Sequence, residues 1–198
     1  MSNLIRLPKS LVHKASVTCA NAFVDDPETV YLIPDKKKRE YLKYAFVYYL
    51  RMSIAERAEI YATSPNSEGV AIWSHSDSKT PWWAIFSINP LLPLKCGWRY
   101  IWHEIIFYRL AHKIKKQYAP FPHKYLALLA VDPSQQGKGF ASQLLKPMLE
   151  KLDNQHLPCY LETQNLKNVN MYQHFGFELV FETTLPHTSL PIYIMVRK

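Results

Sequence analysis

The sequence of 198 residues is poor in cysteine and lacks any long hydrophobic run. Its three cysteines, Cys19, Cys96 and Cys159, are odd in number and widely spaced, which argues against a disulfide framework or a zinc site. We expect packed, reduced thiols. No apolar stretch reaches the roughly 18 residues that a membrane span needs, and residues 1–15 lack the apolar core and cleavage site of a secretory signal. A cytoplasmic protein with no membrane partner is therefore expected.

Acidic residues are also scarce: 16 Asp and Glu stand against 24 Lys and Arg, for a formal net charge of +8. Such a charge attracts anions, and both nucleic acid and a polyphosphate cofactor qualify. The basic clusters at 35–39 and 113–116 lie in predicted helices, without an RNA-binding aromatic signature or zinc-finger spacing. We interpret these clusters as solvated helix faces and expect no nucleic-acid partner.

The first half of the chain shows helical patterns followed by a hairpin. Ser10 is positioned to cap a helix running to Phe23, and Asp25-Asp26-Pro27 is interpreted as a turn. A long amphipathic helix is predicted over 35–57, and short strands over 59–63 and 69–74 are predicted to form an antiparallel hairpin. The apolar stripe of the long helix consists of Tyr41, Ala45, Tyr48, Tyr49 and Met52.

The middle of the chain is rich in aromatic residues, with helical spacing from about Trp98 to Lys115 and prolines at 120 and 122. The last third predicts a β-α-β unit: strands over 125–131 and 159–163, joined by a helix over 138–153. The two strands should be parallel. A helix over 169–174 and antiparallel strands over 177–184 and 192–197 complete a mixed sheet.

A glycine-containing loop, VDPSQQGKGFA, lies between the first strand of that unit and its helix. Gly137 and Gly139 allow backbone amides to approach an anion, and the helix adds its positive end, so the loop predicts a phosphate site. A Walker loop is excluded, because it requires glycine at Asp132 and a hydroxyl at Gly139. A dinucleotide fingerprint has Ser142 in place of its third glycine, and too few residues follow for that fold.

The segment Gln136-Gly137-Lys138-Gly139-Phe140-Ala141 matches the Q/R-x-x-G-x-G/A signature of the GNAT acetyltransferases. One strand later, LETQNLKNVNMYQHFGF has Asn165 and Tyr172 at the spacing of the second motif of that family, N-x₆-Y-x₃-G-F. The chain therefore resembles a GNAT N-acetyltransferase, firmly over about 120–198. Its sequence resembles most the small-molecule branch that includes puromycin acetyltransferases, although the segment at 81–120 has no clear counterpart in that resemblance.

The resemblance implies an α/β (α+β) fold whose mixed, mostly antiparallel sheet is splayed between two parallel strands and flanked by helices. It implies a single N-acetyltransferase domain over 1–198 with an aromatic-rich helical insertion at about 81–120. Acetyl-CoA would be the co-substrate, with its pantetheine arm between the splayed strands, bonded to Leu129 and Val131, and no metal would be needed. The expected cofactor-binding residues are Leu129, Ala130, Val131, Gln136, Gly137, Lys138, Gly139, Phe140, Ala141, Ser142, Asn165, Asn168 and Tyr172.

Three catalytic candidates follow. The resemblance places the Tyr172 hydroxyl near the CoA sulfur, where it can protonate the departing thiolate, and a backbone amide near Val131 could polarise the thioester carbonyl. A base or a water chain must take the proton of the attacking amine. Glu162, on the second strand of the unit, is the first candidate, and His123, just before the first strand, is the second. Many relatives have a carboxylate on the strand over 125–131, whereas this chain offers only Tyr125 and aliphatic residues there, so the resemblance does not assign the base. Each candidate could instead have a purely structural role.

The expected function is direct transfer of an acetyl group to a primary amine of a small molecule, with a protein amine as the less favoured acceptor. A homodimer is left open. A non-catalytic CoA-binding or sensor module is the alternative within the same fold. Basic charge alone would also be compatible with a nucleic-acid-binding protein.

Overall fold

The computed structural model describes residues 4–78, 98–185 and 188–198. The strands are β1 (Ile5–Arg6), β2 (Glu59–Ala62), β3 (Gly69–His75), β4 (Lys124–Val131), β5 (Cys159–Thr163), β6 (Glu178–Thr184) and β7 (Pro191–Arg197). The α-helices are α1 (Val12–Phe23), α2 (Pro27–Leu32), α3 (Leu42–Ala55), α4 (Trp98–Tyr118), α5 (Phe140–Asn154) and α6 (Leu166–Gln173). Among the described helices, none combines the length and the apolar character that crossing a membrane requires.

The strands of this part of the chain form one seven-stranded sheet in the order β1-β2-β3-β4-β5-β7-β6. β4 and β5 are parallel, and every other neighbouring pair is antiparallel. A parallel pair needs a crossover connection, which α5 provides. The predicted mixed sheet, its β-α-β unit and the hairpin of β2 and β3 are confirmed.

The two parallel strands are paired only where they begin. Their register consists of Lys124 opposite Cys159 and Tyr125 opposite Tyr160. Beyond these pairs β4 continues along β3 as far as Val131, while β5 continues along β7 as far as Thr163. The facing edges of β4 and β5 therefore separate into a gap, and each edge presents backbone groups that an extended molecule could pair with.

A β-bulge lies in β4 where this separation begins. Leu126 pairs with Trp73 and Leu128 with Ile72, so Ala127 is an extra residue on β4. A bulge bends its strand and changes the face on which the next side chains point. Leu126 accordingly packs with α5, whereas Leu128 packs with α1 and α3 on the opposite face. The Tyr49 hydroxyl of α3 donates a hydrogen bond to the Ala127 carbonyl at 3.3 Å.

Helices bury apolar side chains against both faces of the sheet. One face packs against α5 and α6 through a cluster that includes Trp73, Leu126, Leu144, Leu145, Leu161 and Met195. The opposite face is covered by α1 and α3 over β2–β4, with Cys19, Leu50, Ile60, Ile72 and Leu128. It is covered by α4 over β5 and β7, with Ile114, Tyr160, Ile192, Ile194 and Val196. The gap between β4 and β5 is therefore flanked by packed layers on both sides.

The N-terminal part differs from its prediction at two helix starts. Ser10 is not a cap: it lies in a 3-10 turn (Lys9–Leu11), and Leu11 precedes α1 without a side-chain hydrogen bond. The predicted turn at Asp25-Asp26-Pro27 is present, since the Asp26 amide donates to the Phe23 carbonyl at 3.1 Å, but it leads directly into α2, which was not predicted. The Asp26 side chain caps this helix by accepting from the Glu28 amide at 3.1 Å. Proline is tolerated there, because the first helical amide has no intrahelical acceptor.

The helix predicted over 35–57 is also corrected. It begins as a 3-10 segment (Lys36–Tyr41) and becomes α-helical at Leu42. Of the predicted stripe only Ala45 is buried, and the other buried positions are Leu42, Val47, Leu50 and Ser53. Val47 and Leu50 pack against the sheet, whereas Leu42 and Ala45 pack against Leu32 and Ile33 at the end of α2. Arg39 is no part of a solvated face: it is 8% exposed and its guanidinium donates to the Ile33 carbonyl and to Asp25.

The aromatic segment predicted at 81–120 is described from residue 98 onward. Residues 81–97, which include Cys96, lie outside the described residues. The expected helix is α4, which extends slightly further than predicted, to Tyr118. Cys19 and Cys159 are buried, free thiols, which confirms their structural interpretation.

Candidate active site

The predicted phosphate loop is an exposed segment with an uncapped helix start. Gly137 and Gly139 have φ values of 78° and 81°, in the left-handed region that glycine adopts most readily. Gly139 is the N-cap of α5, and no side chain caps this end, so the amides of the first turn have no intrahelical acceptor. A Cβ built on either glycine would meet nothing within 4 Å. The loop therefore combines free amide donors, a positive helix end and open space, which fits a diphosphate.

Neighbouring side chains fix the loop to the end of β4. Asp132 accepts hydrogen bonds from the Ser134 amide (3.0 Å) and from Asn21 of α1 (2.8 Å), and the Asn21 bond contributes most to lowering the pKa of this carboxyl. Gln136 donates to the Val131 carbonyl at 3.3 Å. Lys138 is exposed and donates to Gln135 at 2.9 Å. Phe140, Ala141 and Ser142 are half-buried at the start of α5.

Backbone direction along β4 decides which predicted residues can face the gap. The Asp132 amide donates to the Glu68 carbonyl, on the β3 side. In an antiparallel ladder successive residues direct their backbone groups to opposite edges. Ala130 therefore points toward β3, whereas Leu129 and Val131 point toward β5. The half-buried Leu129 and Val131 thus have backbone groups available to a molecule in the gap. Ala130 lies between them, but its backbone groups pair with β3 and are not available.

The second motif lies on β5 and α6. Asn165 is the N-cap of α6, and its side chain accepts from the Lys167 amide at 3.1 Å. Asn168 donates to the Thr163 hydroxyl at 3.3 Å. Both asparagines therefore have structural roles that need no ligand. Tyr172 is 7% exposed and packs edge-on against Phe177, with ring centroids 5.7 Å apart.

The hydroxyl of Tyr172 stays protonated at neutral pH. Burial, followed by the neighbouring Cys159, raises the pKa of Tyr172 above its usual range. The described residues provide no hydrogen-bond partner for this hydroxyl. A buried, protonated phenol without an internal acceptor can donate to a bound group.

Glu162 lies on the other face of β5, two residues beyond Tyr160. The Tyr160 hydroxyl donates to Glu162 Oε1 at 2.9 Å. Burial raises the pKa of Glu162, while hydrogen bonds from Tyr125 and Tyr160 and the charge of Lys115 oppose that rise. The Lys115 ammonium lies 5.1 Å from the centroid of the Tyr125 ring, so it departs from the solvated face expected for the cluster at 113–116. Glu162 thus accepts hydrogen bonds from two phenols and lies in the field of a lysine ammonium group.

His123 directly precedes β4, next to Lys124, the first residue of β4 that pairs with β5. It is 3% exposed, and its Nδ1 is 2.8 Å from the Phe121 carbonyl. Burial lowers its pKa, so the ring is neutral at neutral pH. Its ring centroid is 5.3 Å from that of Tyr160. His123 therefore contacts the phenol that binds Glu162.

Tyr172 and Glu162 lie on opposite faces of β5. Side chains alternate along a strand, so Cys159 and Leu161 point to the α5–α6 layer that contains Tyr172, whereas Tyr160 and Glu162 point to the α4 layer. This arrangement allows Glu162 to contact the amine that receives an acyl group, while Tyr172 contacts the leaving group. The bulge at Ala127 and the phenols of Tyr125 and Tyr160 were not predicted, and no sequence signal marks the bulge.

Comparison with known proteins agrees with this geometry. Residues 102–177 match the model of the Acetyltransferase (GNAT) family. An uncharacterized N-acetyltransferase of Schizosaccharomyces pombe is 26% identical over 198 residues, covering 93% of this chain and 78% of that protein.

Two solved structures share the fold. The histone acetyltransferase HPA2 and related acetyltransferase of Corynebacterium glutamicum has a TM-score of 0.68 at 20% identity, over 100% of this chain and 96% of that one. The arylalkylamine N-acetyltransferase 2 of Aedes aegypti has a TM-score of 0.62 at 15% identity, over 98% and 97%. Residues 102–177 thus match the GNAT acetyltransferase family, and the likeness to these two structures shows that the chain has the fold of N-acetyltransferases.

Proposed function

We propose that the protein transfers an acetyl group from acetyl-CoA directly to a primary amine of a small molecule. The observation that carries this proposal is the gap between β4 and β5, which begins beside Tyr125 and Tyr160 and has the glycine loop at its outer end. A diphosphate on the loop amides would direct an extended pantetheine arm along the edge of β4. The thioester would then lie between Tyr172 and Glu162.

Each proton of the reaction has a group to receive it. Glu162 accepts one proton from the ammonium form of the acceptor, and the neutral nitrogen then attacks the thioester carbonyl carbon. A backbone amide at the end of β4 stabilises the oxyanion. The carbon–sulfur bond breaks, and Tyr172 donates its proton to the departing thiolate. The nitrogen is positively charged after the attack and passes its second proton through solvent to the Tyr172 phenolate, while Glu162 releases the first proton to solvent. No covalent enzyme intermediate is needed.

A small acceptor is favoured because helices cover the face of the sheet on which Glu162 lies. Tyr31 of α2 and Phe107 and Leu110 of α4 pack with Tyr125 over β5 and β7. A folded protein surface would have to pass this layer to reach Glu162. The similar structures include proteins named for a histone and for an arylalkylamine, so likeness of fold does not by itself select the acceptor.

A thiol-release assay with acetyl-CoA tests the proposal. Aminoglycosides, polyamines, aminonucleosides, arylalkylamines and amino acids would be screened, with mass spectrometry of the acetylated product. Acetylation by the wild type, lost in a Tyr172→Phe, Glu162→Gln double variant that still binds CoA, is the expected result. CoA binding without release for any amine or peptide would instead indicate a CoA-binding module. Failure to bind CoA would contradict the proposal altogether.

A further inference from the structure

A cavity of about 450 Å³ opens beside the start of β4, between the C-terminal turns of α4 and the loop that follows β3. Its charged and titratable lining side chains are Asp77, His112, Lys115, Lys116 and His123. The described lining thus has two ammonium groups against one carboxylate. A concave surface with this excess of positive charge favours an anionic group and disfavours a polycation.

A histidine in the wall of the cavity has an unpaired acceptor atom. A carbonyl can only accept a hydrogen bond, so the contact with Phe121 requires the hydrogen of His123 to be on Nδ1. Nε2 of this neutral ring is then a lone-pair acceptor. It is fully buried and has no partner among the described residues. Leaving such a group unpaired costs about 1–3 kcal/mol, which a water molecule or an N–H of a bound molecule would recover, whereas the anionic group itself would pair with the two lysines.

Two side chains, Lys115 and Tyr160, connect the cavity with Glu162. Lys115 lines the cavity, and its charge also acts on the Glu162 carboxylate. The ring of Tyr160 contacts His123, while its hydroxyl donates to Glu162 at 2.9 Å. A molecule whose amine reaches Glu162 can therefore extend toward Lys115 and Lys116.

We propose that this cavity binds an anionic end of the acceptor, so that the acceptor is a primary amine that also carries a carboxylate or a phosphate. The inference rests on the proposed acetyl transfer, because it names the acceptor class for that site. Amino acids and aminoalkyl phosphates have the required chemistry. Polyamines and aminoglycosides, which lack an anionic group, would bring further positive charge against the two lysines.

The test uses acceptor pairs that differ by a single anionic group. Histidine is compared with histamine, tyrosine with tyramine, ornithine with putrescine, and phosphoethanolamine with ethanolamine. Calorimetry measures the binding of each to enzyme saturated with CoA, which cannot react, and thiol release measures kcat and KM. Lys115→Met and Lys116→Met, singly and together, are compared with Lys113→Met. Lys113 is the matched control, because it is exposed on the same turn of α4 and does not line the cavity.

In at least one pair, we expect the amine with the anionic group to bind about tenfold or more tightly than the amine without it. One hydrogen bond to a charged group provides about this difference in affinity. The double variant should lose that preference through KM, and Lys113→Met should retain it, with all melting temperatures near that of the wild type. Equal binding within every pair, equal loss in Lys113→Met, or no binding by any anionic acceptor would overturn the assignment. Strong binding of an anionic amine without thiol release would leave the cavity in place and contradict acetyl transfer.

Discussion

Replacing Gly139 tests whether the loop before α5 binds a diphosphate. Gly139 has a φ of 81°, where an L-residue with a Cβ costs about 1–2 kcal/mol. For a chain of this length each kcal/mol lowers the melting temperature by about 2–4 °C. No atom lies within 4 Å of the added Cβ, so backbone strain is the main effect on stability. Gly139→Ala should therefore melt only a few degrees below the wild type.

The effect on CoA affinity should be separate from this strain. Gly139→Val projects two methyl groups into the space in which the diphosphate would lie. A hydrogen bond to a charged group contributes about 1.5–3 kcal/mol, so losing one should weaken CoA binding by at least about tenfold. Isothermal calorimetry with CoA measures the Kd, and thermal unfolding measures the strain.

Gly176→Ala is the matched control, because Gly176 has a φ of 82° and lies after α6, away from the loop. Its added Cβ would lie 3.2 Å from Nε of Arg197, which donates a hydrogen bond to the Phe175 carbonyl, so it should lose at least as much stability as Gly139→Ala. Its affinity for CoA should nevertheless stay close to that of the wild type. Unchanged CoA affinity in Gly139→Val, or the same loss of affinity in Gly176→Ala, would refute the phosphate assignment.

Three further changes test the remaining site and the stability of the sheet. Tyr172→Phe should lower kcat about 100-fold or more while leaving the calorimetric Kd for CoA unchanged; equal losses would show that the hydroxyl is not an acid. Because burial raises the pKa of Glu162, kcat/KM should fall as pH drops through that raised pKa; a pH–rate profile of Glu162→Gln that retains this acid limb would exclude it as the base. Glu59→Gln should lower the urea-measured free energy of unfolding by about 3 kcal/mol or more, since it removes the carboxylate 2.5 Å from the buried Lys124 ammonium.

The Glu59 pair also predicts the direction of acid unfolding. Burial alone would raise the pKa of Glu59, but the hydrogen bond and charge of Lys124 outweigh it and lower the pKa to about 2. The pair therefore contributes its full stability above the ordinary value of 4.5 and loses it as pH falls toward 2. Urea titrations at several pH values should show the difference between wild type and Glu59→Gln shrinking over that interval. A difference independent of pH would contradict the ion pair.

The sequence by itself determined the elements whose signals are local. Continuous apolar residues over 125–131 predicted a buried parallel strand, the glycine loop predicted the start of the next helix, and alternation predicted the final antiparallel strands. Two motifs at fixed spacing then indicated the family. These patterns suffice because hydrophobic periodicity and backbone conformation are imposed by neighbours along the chain.

Only the tertiary structure decided how the strands diverge and which side chains meet at the gap. The bulge at Ala127 depends on its register with β3, and the burial of Arg39 depends on carbonyls that reach it from a separate turn. The grouping of Glu162 with Tyr125 and Lys115 joins three separate elements. Such contacts arise when distant segments pack, and their energies depend on burial and distance, which no local pattern of residues specifies.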